Sequence, residues 1–388
     1  MDTVSAVPER ARIIQVLGTS SNCGKTTIAA ALCRSFSSRG YSVAPFKAIN
    51  MSLNSIAIQP GAEISRSVWL QAKAARTEPV KEMNPFLLKP EGGGKVQVIS
   101  LGKSMGVMRY SEMRGYLAAN AGRIIDASIR KLAKSYDLIV SEGAGSPAEI
   151  NFDGQDFANA YVPTRYDAPC ILVGDIDRGG VFASLYGTLE LMPAAENVKW
   201  LLINKMRGNR RLLDRGIRSM EILTGKKVVG VMPFVHNLRL PGEDGLDYTA
   251  SHVSRASVAV VRYPYMENYS DVDPLIMSNV AFCYVDESNA SALNDASVII
   301  LPGSKNVPRD LDYLKKSGLG KLIIEKAGKG CRILGICGGY QILCTSIRLR
   351  SAGGLSEIRG LGILENSVTY STTKKVREVE YSFVDKRT

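Results

Sequence analysis

Short apolar runs recur along the chain, and each ends in polar or glycine-rich residues. RIIQVLG (12–18) has the pattern of a buried strand, and TTIAAALCRSFSSRG (26–40) follows it as a helix closed by glycine. YSVAPFK (41–47) predicts a second strand. DLIVSEGAG (137–145), CILVGDID (170–177), KWLLINK (199–205) and KKVVGVMPF (226–234) repeat the pattern. Short β-branched strands separated by helical stretches predict a parallel sheet covered on both faces. The pattern lapses in the polar, proline- and glycine-containing stretch HNLRLPGEDGLDYTASHVSRAS (236–257). It resumes with SVAVVRYPY, NVAFCYV, ASVIILPGS and CRILGIC between 257 and 337. The expected fold class is therefore α/β with two domains: 1–236, a linker over 237–256, and 257–388.

Composition narrows this little. The chain has 388 residues with 45% hydrophobic and 22% charged, as in an ordinary soluble globular protein. Its net charge of +12 suits an acidic small-molecule partner. No dense basic run with interleaved aromatics points to nucleic acid. No apolar stretch of about 18 residues points to a membrane, and the first residues do not form a signal peptide. The seven cysteines show no CxxC pair, which fits a reduced, cytoplasmic chain without a zinc site or disulfide framework.

Chemistry enters at GTSSNCGKTT (18–27), between the first strand and the first helix. A glycine-rich turn there aims backbone N–H groups at phosphate oxygens, and the helix N-terminus adds partial positive charge. Gly18, Thr19, Ser20, Ser21, Asn22, Cys23, Gly24, Lys25, Thr26 and Thr27 form the expected ATP cradle. Lys25 would reach the β/γ phosphates, and the Thr26 hydroxyl would bind Mg2+. The spacing G-x5-G-K-T is that of the deviant loops of the dethiobiotin synthetase and MinD/ParA superfamily. Other strand ends converge on the same edge in an open α/β sheet. Lys47 is expected over the γ-phosphate, Glu142 in the Mg2+ shell and Asn204 at the adenine. Asp175 and Asp177 are further acidic candidates.

A second chemistry is written in LGICGGYQIL (334–343). Cys337 sits between a strand-like run and a glycine pair that opens a helix, the mounting of a nucleophile on a sharp turn. The amides of Gly303, in LPGS, and of Gly338 would form an oxyanion hole. A helix N-terminus lowers a thiol pKa, so Cys337 is expected to be activated, whereas Cys331 and Cys344 are expected to pack. A nucleophilic cysteine needs a base, and the two histidines of the chain, His236 and His252, both precede it by far.

The motifs APFKAINMSLNS, EISRSVWLQA, MNPFLLKP, SEGAGSPAEIN, LVGDIDRGGVFASLYGTL, LPGSKNVPRDLDYL and GICGGYQIL, in this order, resemble the run of motifs in cobyric acid synthases. The resemblance implies a P-loop ATPase domain followed by a class I glutamine amidotransferase domain with a Cys-His-Glu triad. It implies that ammonia from glutamine amidates an ATP-activated corrinoid carboxylate, with adenosylcobyrinic acid a,c-diamide as substrate. Asn50, Asn54, Ser55, Glu63 and Arg66 lie in these motifs and are candidate corrinoid contacts, Arg66 as a carboxylate partner.

The chain departs from that family in three places. Asn22-Cys23 stands where aspartate-valine is common, and NFDGQDFANA (151–160) is only loosely similar. The triad histidine and glutamate of the family fall beyond residue 388, so the expectation for this chain is a second domain without its general base. Three other readings compete. The sister enzyme, cobyrinic acid a,c-diamide synthase, tends to carry an aspartate-containing stretch after FK, where this chain has AINMSLNS. A ParA/MinD-type switch ATPase would carry a second lysine where Thr19-Ser20 stand. A glutaminase-dead binding protein is the third.

Overall fold

The computed structural model describes residues 11–59, 61–151, 156–235, 256–267, 269–278, 280–351 and 354–370. The chain divides into two compact units, with the described residues up to 235 in the first and those from 256 onward in the second. Both histidines, and the predicted linker apart from Ala256, lie outside the described residues.

Six strands form the main sheet of the first unit: β1 (Arg12–Gly18), β2 (Val43–Phe46), β3 (Leu138–Glu142), β4 (Cys170–Asp175), β5 (Val198–Met206) and β6 (Lys227–Pro233). Their order is β6-β5-β4-β1-β3-β2, and all pairings are parallel. The continuous apolar character of the inner strands follows from burial on both faces, whereas β6, at the edge, has no fully buried residue. Successive residues point to opposite sides. Ile139 packs with Ile125 and Ile129 of helix α3 (Tyr110–Ala133), while its neighbour Val140 packs with Ile28 of α1 (Lys25–Ser37). Leu17 and Leu172 meet Val181 and Leu185 of the helix Val181–Leu191.

One part of this unit goes beyond the predicted pattern. Ile49–Met51, Phe86–Gly92, Lys95–Ser100 and Lys103–Arg109 form a separate mixed sheet. One of its two-residue turns runs through Gly93 and Gly94, which with Gly92 are at positive φ, a conformation glycine adopts without steric cost. A short hairpin, Ser55–Gln59 with Ala62–Ser65, leads into helix α2 (Arg66–Ala74). Ser65 caps α2 by accepting from the Val68 amide.

The second unit holds a four-stranded parallel sheet of β7 (Val258–Val261), β8 (Phe282–Val285), β9 (Val298–Leu301) and β10 (Arg332–Gly335), in the order β8-β7-β9-β10. Val260, Ile299, Leu311, Leu314 and Ile342 lie in its core. Cys344–Ser351, Gly354–Arg359 and Leu364–Thr369 add a mixed three-stranded sheet. No helix among the described residues is long and apolar enough to cross a membrane.

Candidate active sites

The loop between β1 and α1 packs tightly. Cys23 is fully buried, and Gly24 at φ 104 opens the helix in a left-handed conformation. A Cβ on Gly24 would lie 2.1 Å from Asn204 Nδ2, so glycine is required twice over, by φ and by space. Asn204 Nδ2 donates to the Cys23 carbonyl at 2.9 Å, and the next residue, Lys205, donates to the Asn22 carbonyl at 2.7 Å. The end of β5 thus holds two successive carbonyls of the loop. Lys25 Nζ donates to the carbonyls of Ser20 (2.9 Å) and Gly145 (2.7 Å), bridging its own loop to the SEGAGS loop after β3.

Glu142, at the end of β3, is buried and is the meeting point of three elements. Its Oε1 accepts from the Thr26 hydroxyl at 2.7 Å and from Lys47 Nζ at 3.1 Å. Its Oε2 accepts from Gln71 Nε2 on α2 at 2.5 Å. Lys47 is only 1% exposed, so this is a buried ion pair. The expected placement of Lys47 over a γ-phosphate is therefore refined: its ammonium sits on the Glu142 carboxylate. Asn84 secures that end of β2 by donating to the Lys47 and Phe86 carbonyls, both at 3.0 Å. Asn159 secures the loop after Glu142, exchanging hydrogen bonds with both the amide and the carbonyl of Ala144 at 3.0 and 2.9 Å.

The remaining candidates fall into two groups. Asp175 accepts from Lys205 at 2.8 Å, and Asp177 pairs with Arg207 at 2.5 Å, so both aspartates are engaged with cations beyond the loop. The Arg207 partnership holds the Asp177 carboxyl below the usual carboxylate range. Near α2, Glu63 accepts from Ser55 (2.7 Å) and Lys89 (2.8 Å), and Lys89 also donates to Ser55 at 2.7 Å. Asn50 donates to Ser67 at 3.3 Å, and the Asn54 carbonyl accepts from the Arg66 amide at 3.2 Å. Gln71, Asn84, Lys89, Lys205 and Asn159 carry no signal in the sequence, because a single polar residue inside a longer motif has no chemical pattern of its own. EISRSVWLQA, MNPFLLKP, LLINK and NFDGQDFANA contain all five.

In the second unit Cys337 is exposed and sits at φ 50, a backbone strained for a non-glycine residue, between β10 and the helix Gly338–Leu343. A Cβ on Gly339 would lie 1.9 Å from the Leu301 carbonyl, and one on Gly338 would lie 2.6 Å from the Ser304 amide. The glycine pair therefore lets the turn press against the loop after β9 and brings Gly338 to the Gly303–Ser304 segment. Gly303 is paired across a two-residue ladder with Glu267. Asp310 holds this loop by accepting from Ser304 Oγ at 2.5 Å and from the Tyr265 amide at 2.9 Å.

The electrostatics around Cys337 run against the expected activation. The Cys337 thiol is pushed up from its ordinary value, first by partial desolvation of a sulfur whose residue is otherwise exposed, and then by the Glu267 carboxylate. The Gly338 amide and Lys305 act in the opposite sense but do not prevail. The helix behind the thiol is only six residues long, too short for a large terminal field. Glu267, a lone acidic residue seventy positions away in sequence, gave no signal beforehand. Cys344 is buried and Cys331 partly so, as packing residues would be.

A P-loop unit followed by a unit with cysteine on a strand–turn–helix elbow defines a class: a ligase that carries its own glutamine amidotransferase domain. Residues 14–246 match the CobQ/CobB/MinD/ParA nucleotide binding domain, and residues 257–387 the CobB/CobQ-like glutamine amidotransferase domain. The chain belongs to the cobyric acid synthase family. It is 54% identical over 369 residues to the probable cobyric acid synthase of Thermoplasma acidophilum, covering 95% of this chain and 78% of that one. It is 52% identical to the probable cobyric acid synthase of Picrophilus torridus, over 96% of this chain and 78% of the relative. The cobyric acid synthase of Desulforudis audaxviator is 42% identical, over 95% and 74%.

Proposed function

We propose that the protein converts adenosylcobyrinic acid a,c-diamide to adenosylcobyric acid, amidating side-chain carboxylates with ATP and with glutamine or ammonia as nitrogen source. The observation that carries this reading is the convergence of Thr26, Lys47 and Gln71 on the buried Glu142 beside the Lys25 loop. A carboxylate is a poor electrophile and an acyl phosphate a good one. In the proposed sequence a corrinoid carboxylate oxygen attacks the γ-phosphorus of ATP and ADP leaves. Ammonia nitrogen then attacks the acyl carbon, and phosphate leaves with the C–O bond electrons. Lys25 offsets the phosphate charge during the first step, the main task in phosphoryl transfer.

The donor set at Glu142 suits Mg2+. Hard cations take oxygen ligands, and Mg2+ uses few protein carboxylates beside phosphates and water. Adjacent ligands on an octahedral ion at 2.0–2.1 Å stand about 3 Å apart, close to the 2.7 Å between Thr26 Oγ1 and Glu142 Oε1. Thr26 and Glu142 would hold the ion, which when bound neutralises charge on the phosphates.

In the second unit Cys337 would attack the glutamine side-chain carbonyl, release ammonia and leave a thioester. The amides of Gly338 and Gly303 are the proposed oxyanion donors. The test of the whole reading is Lys25→Ala, assayed with the corrinoid diamide and either glutamine or an ammonium salt. Amidation should be lost with both nitrogen sources, because activation precedes both. Wild-type turnover with ammonium would overturn the reading.

A further inference from the structure

Gln71 lies on α2 and is fully buried. Its Nε2 donates to Glu142 Oε2. An ionised carboxylate only accepts, so the amide nitrogen must face it and the amide oxygen must turn to its other side. That oxygen, Gln71 Oε1, is buried and has no hydrogen-bond partner among the described residues. A buried acceptor with no donor among the described residues is uncommon in proteins and is the kind of group that a bound water or ligand satisfies. Because Oε1 shares its carbon with Nε2, this acceptor lies one amide group away from the Glu142 carboxylate. The other carboxylate oxygen is already shared by Thr26 and Lys47.

We propose that Gln71 is a positioning residue for the cation at Glu142: its amide nitrogen fixes the carboxylate, and its amide oxygen accepts a hydrogen bond from a cation-bound water. This rests on the reading of Glu142 as a Mg2+ ligand. Mg2+ gives up its waters reluctantly, so donors of the right kind accompany it into a site. Groups that orient a metal ligand typically contribute about 10–100-fold to metal affinity. Gln71 is suited to both tasks because an amide offers a donor and an acceptor on one rigid plane.

The test is calorimetric titration of Mg2+ into the protein saturated with a non-hydrolysable ATP analogue, for wild type and Gln71→Leu. The Mg2+ Kd should rise about 10–100-fold, while affinity for the analogue in excess EDTA changes less than about twofold. A Mg2+ Kd within about twofold of wild type would overturn the proposal. So would an equal loss in both titrations, which would make Gln71 a structural tie. If Gln71→Leu fails to fold, Gln71→Met, with a flexible side chain of similar volume, carries the same comparison. Glu142→Gln, combined with Lys47→Met so that no buried cation loses its carboxylate, is titrated in parallel. If that variant binds Mg2+ as wild type does, the metal reading of Glu142 fails. If it alone loses Mg2+, only the role of Gln71 fails.

Discussion

Thr26 and Glu142 are 116 residues apart, yet the threonine hydroxyl donates to the glutamate carboxylate at 2.7 Å. The contact follows from strand order. β1 and β3 are neighbours, and Val16 is in register with Glu142. The loop that leaves β1 therefore starts beside the residue that ends β3.

That geometry changes what Glu142→Gln should do. The substitution weakens a cation site, and it also leaves Lys47, at 1% exposure, without its carboxylate partner. Breaking a buried pair from one side costs about 3–5 kcal/mol. We expect Glu142→Gln to lower both Mg2+-dependent nucleotide binding and stability in a urea melt. Lys47→Met/Glu142→Gln should recover most of the stability and none of the Mg2+ dependence. A single variant as stable as wild type would show that the pair contributes little.

Much of this arrangement is legible in the sequence because it is local. The P-loop, β1 and α1 are contiguous, and Glu142 and Asn204 sit at the ends of apolar runs that identify themselves as strands. Cys337 announces its turn through the glycines that follow it. Gln71 is different: it stands in line with Val68, Ala72 and Ala75 on the buried face of its helix, but a polar residue there has no chemical pattern in the sequence to set it apart from an ordinary helix position. The mixed sheet over residues 49–109 escaped for a related reason. Its triple glycine is a hairpin signal, but the strands on either side are short and polar at their ends. The direction of the Cys337 shift is invisible in sequence because its causes, desolvation of the sulfur first and the Glu267 carboxylate second, come from segments that only the fold brings together.

Asn204 was expected at the adenine, and its Nδ2 holds the Cys23 carbonyl. A primary amide has a second N–H and an oxygen to spare, so both roles are compatible. We expect Asn204→Ala to weaken ATP binding about fivefold to tenfold, since a net hydrogen bond is worth about 1 kcal/mol and about 1.4 kcal/mol is tenfold. The preference for ATP over GTP should shrink as well. Equal losses for the two nucleotides in fluorescence titrations would leave Asn204 as a loop tie alone.

The Glu63–Lys89 pair offers a test away from the nucleotide. Both side chains are nearly buried, at 5% and 9% exposure, and Ser55 bonds to both. Lys89→Met should destabilise the first unit by about 3–5 kcal/mol, because a buried carboxylate loses its cation. Lys89→Met/Glu63→Leu should be far less damaging. If Glu63 also contacts the corrinoid, the double variant will be stable yet will bind the diamide weakly in calorimetry. Normal corrinoid binding by that variant would assign the cluster to structure.

The last expectation concerns the thiol. The nucleophile is the thiolate, so its supply at neutral pH depends on the pKa of Cys337. Partial desolvation of the sulfur and the Glu267 carboxylate both favour the neutral thiol and raise that pKa above the reference value of 9.0. The sign is definite: a raised pKa keeps the thiol protonated to higher pH, so reactivity stays low at neutrality and climbs only in the alkaline range. We expect alkylation of Cys337 by iodoacetamide, followed by mass spectrometry of the peptide, to accelerate with pH and to show an apparent pKa above that of a free cysteine. Glu267→Gln removes a negative charge near the sulfur, so it should move the profile toward lower pH and speed alkylation at neutrality. Lys305→Met removes a nearby positive charge and should move it the other way. An alkylation profile centred below the free-cysteine value in the wild type would contradict this electrostatic picture. It would instead restore the glycine-rich turn as an activating device in its own right.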